Sequence, residues 1–253
     1  MRIDVKDIVF AYKEKRILDG VSFSLESGKS YALMGKNGSG KTTLFKLMLG
    51  ILEAKNGEIL ADGRRLTSPD GRVFSYIPQN TNTLSGYECI DVALMALAST
   101  LPVLSAPDKT SECNAMKLFE KLGIAKLGYE RIENVSGGER ALVLFARAIL
   151  QNASFLMLDE PTANLDYENQ ISIHEKLDEL KREDKGILFS THNPSEALEF
   201  ADEILILDDR KLIFSGGREE AYEEKVFERL YEGKIKVMGL NDGGKNRYVC
   251  LRA

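Results

Sequence analysis

Residues 35–42 read Gly-Lys-Asn-Gly-Ser-Gly-Lys-Thr, which meets the phosphate-cradling pattern GxxxxGK[ST] at every defined position. The chemistry this spacing serves is a grip on a nucleoside triphosphate. Gly35, Gly38 and Gly40 let the backbone turn its N–H groups inward as an anion nest, and a helix opening near Lys41 aims its positive dipole end at the same place. Lys41 is then placed to reach the β- and γ-phosphates, and Thr42 to ligate Mg²⁺ through its hydroxyl. Downstream, Asp159 and Glu160 end the apolar run Phe155 to Leu158. Beside a bound triphosphate, the first carboxylate can orient the metal and the second can position or polarise the attacking water. Two acids after a strand are otherwise a solvated loop start, and it is the upstream loop that gives them a role.

Between these elements stand Val135, Ser136, Gly137, Gly138 and Glu139, directly ahead of a helical run from Arg140 to Leu150. Ser136 with Glu139 three residues on is a capping box. Ser136 and the two glycine N–H groups are also a second anion site at a helix start. A chain that already carries one cradle makes most sense of a second if it closes over nucleotide held by a partner subunit.

The elements that must position these groups follow from the apolar pattern. Ile3, Val5, Ile8 and Phe10, then Val21, Phe23 and Leu25, alternate with polar residues, predicting half-buried antiparallel strands joined by a turn over residues 13–16. The run Ser30 to Met34 predicts the strand that feeds the phosphate loop, and Leu44, Leu47 and Met48 the helix that leaves it, with Gly50 at its C-terminal end. Strands are predicted near Gly57–Leu60, ending in an Asp62-Gly63 turn, and near Phe74–Ile77, stopped by Pro78. From about Cys89 to Gln151 the spacing becomes three and four, with a Pro- and Ser-rich loop expected over Leu101 to Ser111. Continuous apolar runs then resume at Phe155, Gly186 and Ile204, separated by helical stretches over Tyr167 to Glu183 and near Ser195 to Phe200. Such alternation indicates βαβ units and a mostly parallel sheet buried on both faces. One charged helix is expected over Arg218 to Tyr231, and a hairpin pairing Ile235–Val237 with Tyr248–Leu251 across an Asp242-Gly243-Gly244 turn.

With 253 residues, 43% hydrophobic and 29% charged, the chain can bury a core without staples. No apolar run reaches the roughly 18 residues of a membrane span, and the N-terminus lacks the apolar core of a secretory signal, so a cytoplasmic location is expected. Cys89, Cys113 and Cys250 are odd in number and far apart, which supports neither a disulfide framework nor a zinc site and suggests packing roles. A net charge of −5 argues against a broad nucleic-acid face, so no nucleic-acid partner is expected.

Taken in order, these motifs resemble the ATP-binding subunit of an ABC transporter, and the likeness spans nearly the whole chain. That family's order is an adenine-stacking aromatic, the phosphate loop, a glutamine loop, an LSGGQ-type signature, an Asp-Glu strand end, an Asp loop and a switch histidine. The matching positions are Tyr12, Gly35 to Thr42, Gln79, Val135 to Glu139, Asp159 with Glu160, Asn164 to Asp166, and His192. The resemblance implies a P-loop, RecA-like α/β fold, with a mostly parallel sheet core, an antiparallel β edge and an inserted helical subdomain. It divides the chain into a nucleotide-binding core over 1–84 and 153–216, a helical subdomain over 85–152 and a C-terminal helix and hairpin over 217–253. It implies ATP and Mg²⁺, with nucleotide contacts from Tyr12, Gly35, Asn37, Gly38, Ser39, Gly40, Lys41, Thr42, Thr43, Ser136, Gly137, Gly138 and Asp166. Metal contacts would come from Thr42, Gln79 and Asp159, and Glu160, Gln79 and His192 would be catalytic. His192 would bond the γ-phosphate and Glu160, and the face of Tyr12 would hold adenine without strong base discrimination.

Three departures stand out: Val135 for the usual Leu, Glu139 for the common Gln, and Lys36 where Pro is frequent. None removes a catalytic group. Within the family, residues 91–95, 136–140, 142–148 and 159–166 resemble the ATPases of importers for iron-siderophore complexes, haem and cobalamin. That implies a head-to-tail homodimer on a pair of membrane permease subunits with an extracytoplasmic binding protein, peripheral to the inner face of the membrane. Alternatives are an exporter ATPase and a soluble ABC ATPase of DNA repair or translation. A phosphate-loop kinase would leave residues 135–139 unexplained.

Overall fold

The structure, a computed structural model, describes residues 1–79, 85–99, 107–162, 165, 167–242 and 245–253, and the backbone alone at 99, 167, 241, 242, 245 and 246. Asn164, Asp166, residues 101–106 of the expected loop and the Gly243-Gly244 part of the expected turn lie outside the described residues.

Alternation makes the first strands, β1 (Arg2–Tyr12) and β2 (Lys15–Glu26), pair antiparallel with Ile3 opposite Leu25 and Val5 opposite Phe23. The turn is tighter than its charge run suggested, because Lys15 and Arg16 already belong to β2. Next come β3 (Ser30–Met34), α1 (Lys41–Met48), β4 (Asn56–Ala61) and β5 (Arg64–Arg65). Then follow β6 (Phe74–Ile77), α2 (Cys89–Leu94), a 3₁₀ turn (Met95–Ser99), α3 (Lys109–Lys121), α4 (Gly137–Leu150) and β7 (Phe155–Asp159). The chain continues through α5 (Tyr167–Arg182), β8 (Gly186–Thr191), α6 (Pro194–Phe200), β9 (Glu203–Asp208) and β10 (Lys211–Gly217). It ends with α7 (Arg218–Glu223), α8 (Val226–Leu230), β11 (Ile235–Asp242) and β12 (Lys245–Arg252).

Two compact units divide the chain, Met1–Asp70 with Leu180–Ala253, and Gly71–Glu179. In the first, β2-β1-β4-β5 form an antiparallel sheet of their own. A second sheet runs β10-β9-β3-β8, with β3 parallel to both β8 and β9 and only β10 antiparallel. Every residue of β3 and β8 is buried, which is why both strands read as continuous apolar runs. In the second unit, β6 and β7 pair in parallel, and α4 buries Leu142, Val143, Phe145 and Ala146. Each such large apolar side chain contributes roughly 1.5–3 kcal/mol.

Three expectations change. The loop expected through Ser111 ends earlier, because Asp108 caps α3 by accepting from the Ser111 N–H at 2.8 Å and its hydroxyl at 2.7 Å. The helix expected over residues 218–231 is two helices, broken where Lys225 takes φ 52°. Cys113 is exposed, not a packing residue, while Cys89 is buried and Cys250 half-buried. β10 was not anticipated; it closes the sheet as an antiparallel strand with a register shift between Leu212 and Phe214.

Candidate active site

The phosphate loop leaves the buried end of β3 and enters α1 within six residues. Gly35 is required sterically: a Cβ there would collide with the Leu207 carbonyl oxygen and Ser39 Oγ. Gly40 sits at φ 108° as the residue before α1, and a Cβ there would come within 2.9 Å of Leu18. The turn is closed by the Ser39 N–H donating to the Lys36 carbonyl at 3.0 Å. The Lys41 ammonium is buried and folds back onto the loop, donating to the Gly35 carbonyl at 2.8 Å. Lys36, Asn37, Gly38 and Thr42 are exposed, and Thr43 is partly so, which leaves the mouth of the loop open to a ligand. Ser39 Oγ is buried and, among the described residues, lacks a hydrogen-bond partner. An orphaned buried hydroxyl in a glycine-rich loop that opens a helix fits a ligand rich in acceptor oxygens, such as a triphosphate. Lys36 pairs with Glu232 at 2.9 Å, which accounts for the charge that departs from the family pattern.

Two further predicted residues lie in the same unit. Tyr12 ends β1 with an exposed ring, packed edge-on against Phe10 at a centroid distance of 4.9 Å. His192 is exposed in the link between β8 and α6. Around it, the Thr191 hydroxyl donates to Glu196, the Asn193 N–H donates to Thr191 Oγ1 at 3.0 Å, and Asn193 caps α6. Its own carbonyl accepts from the Tyr231 hydroxyl at 2.7 Å.

The second unit brings Gln79 and Glu160 together. β6 and β7 run in parallel with Ile77 opposite Leu158, so Gln79 and Glu160, each two residues past that pair, emerge at one level. There Gln79 Nε2 donates to Glu160 Oε2 at 2.8 Å. Glu160 holds φ 51°, a left-handed conformation that costs a non-glycine residue about 1 kcal/mol or more. Such strain at a carboxylate that meets a glutamine marks a site where side-chain direction matters. Asp159 is buried at the end of β7, and Tyr76 donates its hydroxyl to Asp159 Oδ2 at 3.4 Å. Burial first, and then the Asp159 carboxylate, push the Tyr76 phenol well above its ordinary value, so it stays a donor.

Ser136 is the N-cap of α4 in a complete capping box: its hydroxyl accepts from the Glu139 N–H at 3.2 Å, and Glu139 accepts from the Ser136 N–H at 3.1 Å. Those backbone and hydroxyl bonds to Ser136, with Lys126 nearby, hold the Glu139 carboxyl below its usual range. Substitution of Glu for Gln at this position therefore keeps the cap. Ser136 and Gly137 are exposed, and an accepting hydroxyl still carries its own proton to donate. Sequence reasoning missed Gln170, which donates to the Thr162 and Leu165 carbonyls at 3.3 and 3.0 Å and so steadies the segment after Glu160. It also missed Tyr76, Tyr231 and Glu232.

Among the described residues no cluster of three or more His, Cys, Asp or Glu side chains could hold a metal by itself. Thr42 in the first unit, and Gln79 with the buried Asp159 in the second, are oxygen donors of the type suited to a cation that takes most of its ligands from phosphates and water, as Mg²⁺ does. No helix among the described residues is long and apolar enough to cross a membrane.

Residues 18–163 match the ABC transporter family model. A Haemophilus influenzae ABC transporter ATP-binding protein is 34% identical over 242 residues, covering 94% of this chain and 92% of that protein. A Helicobacter pylori protein named for iron chelatin transport is 31% identical over 248 residues, covering 96% and 97%. The Escherichia coli lipopolysaccharide export protein LptB is 31% identical over 237 residues, covering 92% and 97%. Among solved structures, a metal-chelate type ABC transporter in an inward-facing conformation superimposes with a TM-score of 0.85 at 25% identity, covering 98% of this chain and 97% of that one. With its phosphate loop, signature turn and Asp-Glu strand end in the family's order, the chain belongs to the ATP-binding subunits of ABC transporters, the ATPases that power transport.

Proposed function

We propose that the chain drives import of an iron-siderophore or related metal-chelate cargo, as a head-to-tail homodimer seated on a pair of membrane permease subunits at the cytoplasmic face. An extracytoplasmic binding protein would deliver the cargo. The iron chelatin relative and the metal-chelate type neighbour support this cargo class. An exporter remains the second reading, favoured by the likeness to LptB.

The hydrolytic mechanism rests most on the hydrogen bond from Gln79 to Glu160. The loop from Gly35 to Thr43 binds the phosphates of ATP, Lys41 exchanging the Gly35 carbonyl for phosphate oxygens, while Tyr12 stacks on the base. Ser136, Gly137 and Gly138 of the partner copy close over the γ-phosphate, with Asp166 at the same seam. Glu160 polarises the attacking water, Gln79 holds that carboxylate in line, and His192 bonds the γ-phosphate. Thr42, Gln79 and Asp159 would hold Mg²⁺, which neutralises phosphate charge when bound. Closure follows ATP binding and reopening follows hydrolysis. On this reading 1–84 and 153–216 form the nucleotide-binding core, 85–152 the helical subdomain and 217–253 an appendage.

Co-purification from native membranes tests the transport reading. Recovery of a large hydrophobic permease together with a binding protein supports import of the ligand they carry. A permease without a binding protein supports export, and recovery of nucleic acid or ribosomes in its place rejects transport.

A further inference from the structure

The turn that ends α8 reaches both the phosphate loop and the link that carries His192. Its base is rigid: Phe227 and Leu230 are buried, the Gly233 N–H donates to the Glu228 carbonyl at 2.7 Å, and Glu228 Oε1 accepts from the Val237 N–H at 3.0 Å. Glu232 takes φ 57°, which turns the chain so that consecutive side chains leave toward different targets. Tyr231 Oη donates to the His192 carbonyl at 2.7 Å, and Glu232 Oε1 accepts from Lys36 Nζ at 2.9 Å.

The contact to His192 acts on the peptide that fixes where its imidazole starts. On either side, Thr191 is bonded to Glu196 and to the Asn193 N–H, and Asn193 is committed to capping α6. Tyr231 holds the His192 carbonyl across 39 positions of sequence. Burial raises the Tyr231 phenol above its ordinary value, so it remains a donor wherever the enzyme works. The C-terminal hairpin backs the arrangement, with β12 packed on α6.

We propose that Tyr231 is a positioning residue for ATP hydrolysis: its hydroxyl sets the His192 peptide, while Glu232 ties the same turn to Lys36 of the phosphate loop, so that the C-terminal appendage controls the geometry of the catalytic histidine. This rests on the role given to His192 above. A purely structural tyrosine would alter stability, whereas a positioning one alters turnover through one particular residue.

Steady-state and single-turnover ATP hydrolysis by the full-length protein test it. Tyr231→Phe removes only the hydroxyl and is expected to lower kcat about three- to tenfold with KM for ATP within about twofold. Tyr222→Phe, on a ring that packs against Tyr248 at 4.9 Å within the same appendage, is expected to keep kcat. Glu232→Gln, which leaves the hydroxyl in place, should lower kcat by a smaller factor. In a His192→Ala background, Tyr231→Phe should cause no further loss. If His192→Ala abolishes turnover while Tyr231→Phe and Glu232→Gln match the parent, this inference alone falls. Equal fold losses from Tyr231→Phe in both backgrounds also overturn it, because Tyr231 would then act independently. A full rate for His192→Ala removes the histidine's role and this inference together.

Discussion

Gln79 Nε2 lies 2.8 Å from Glu160 Oε2, a contact made between residues that follow two parallel strands in register. The amide holds one carboxylate oxygen and so fixes the direction of the group proposed as general base. Gln79→Leu should therefore lower kcat about ten- to a hundredfold, the value of one hydrogen bond to a charged group, with a smaller change in KM. Measured kcat and KM for ATP check this, and a loss confined to KM would place Gln79 in substrate binding alone.

The phosphate loop makes a steric prediction. Gly35→Ala places a Cβ against the Leu207 carbonyl and Ser39 Oγ, so the loop must deform. Binding of a fluorescent ATP analogue should be lost, as it should be for Lys41→Ala, where the cradle survives without its ammonium. Far-ultraviolet circular dichroism should stay near that of the parent for Lys41→Ala.

Ser136 has two separable duties, and the choice of replacement separates them. Ser136→Ala removes the cap, costing about 1 kcal/mol, and should lower Tm by a few degrees along with activity. Ser136→Asn keeps a good cap, so Tm should hold while ATP-driven dimerisation and turnover still fall. Retained turnover in Ser136→Asn would make this serine a cap and nothing more.

The same box gives a pH dependence. The Glu139 carboxyl is held below its ordinary value by Ser136, so its contribution is present above the unfolded value, near 4.3, and fades as pH falls through that value toward the lower folded one. Tm measured across acid pH should show a shallower acid loss for Glu139→Gln than for the parent. Parallel curves would show that the carboxylate adds nothing to the cap.

Much of this was legible in the chain because the signals are local. The apolar runs of β3, β7 and β8 are continuous since both faces are covered, and the phosphate loop sits where a strand must hand over to a helix. Misreadings came where a local signal pointed two ways. Asp108 and Ser111 belong to a Pro- and Ser-rich stretch that reads as loop, yet they form a helix cap. The break at Lys225 carries no glycine or proline to announce it. The Tyr231 to His192 contact joins side chain to backbone across a long separation, and no periodicity encodes such a pairing.

The most direct test of the central claim is the nucleotide-dependent oligomeric state of Glu160→Gln. This variant keeps the shape of the Gln79 partner but loses the base, so it should bind ATP, lose at least about a hundredfold in turnover, and run as a stable dimer in ATP and a monomer without it. A Glu160→Gln protein that hydrolyses ATP at the parental rate, or stays monomeric when saturated with ATP, would contradict the account.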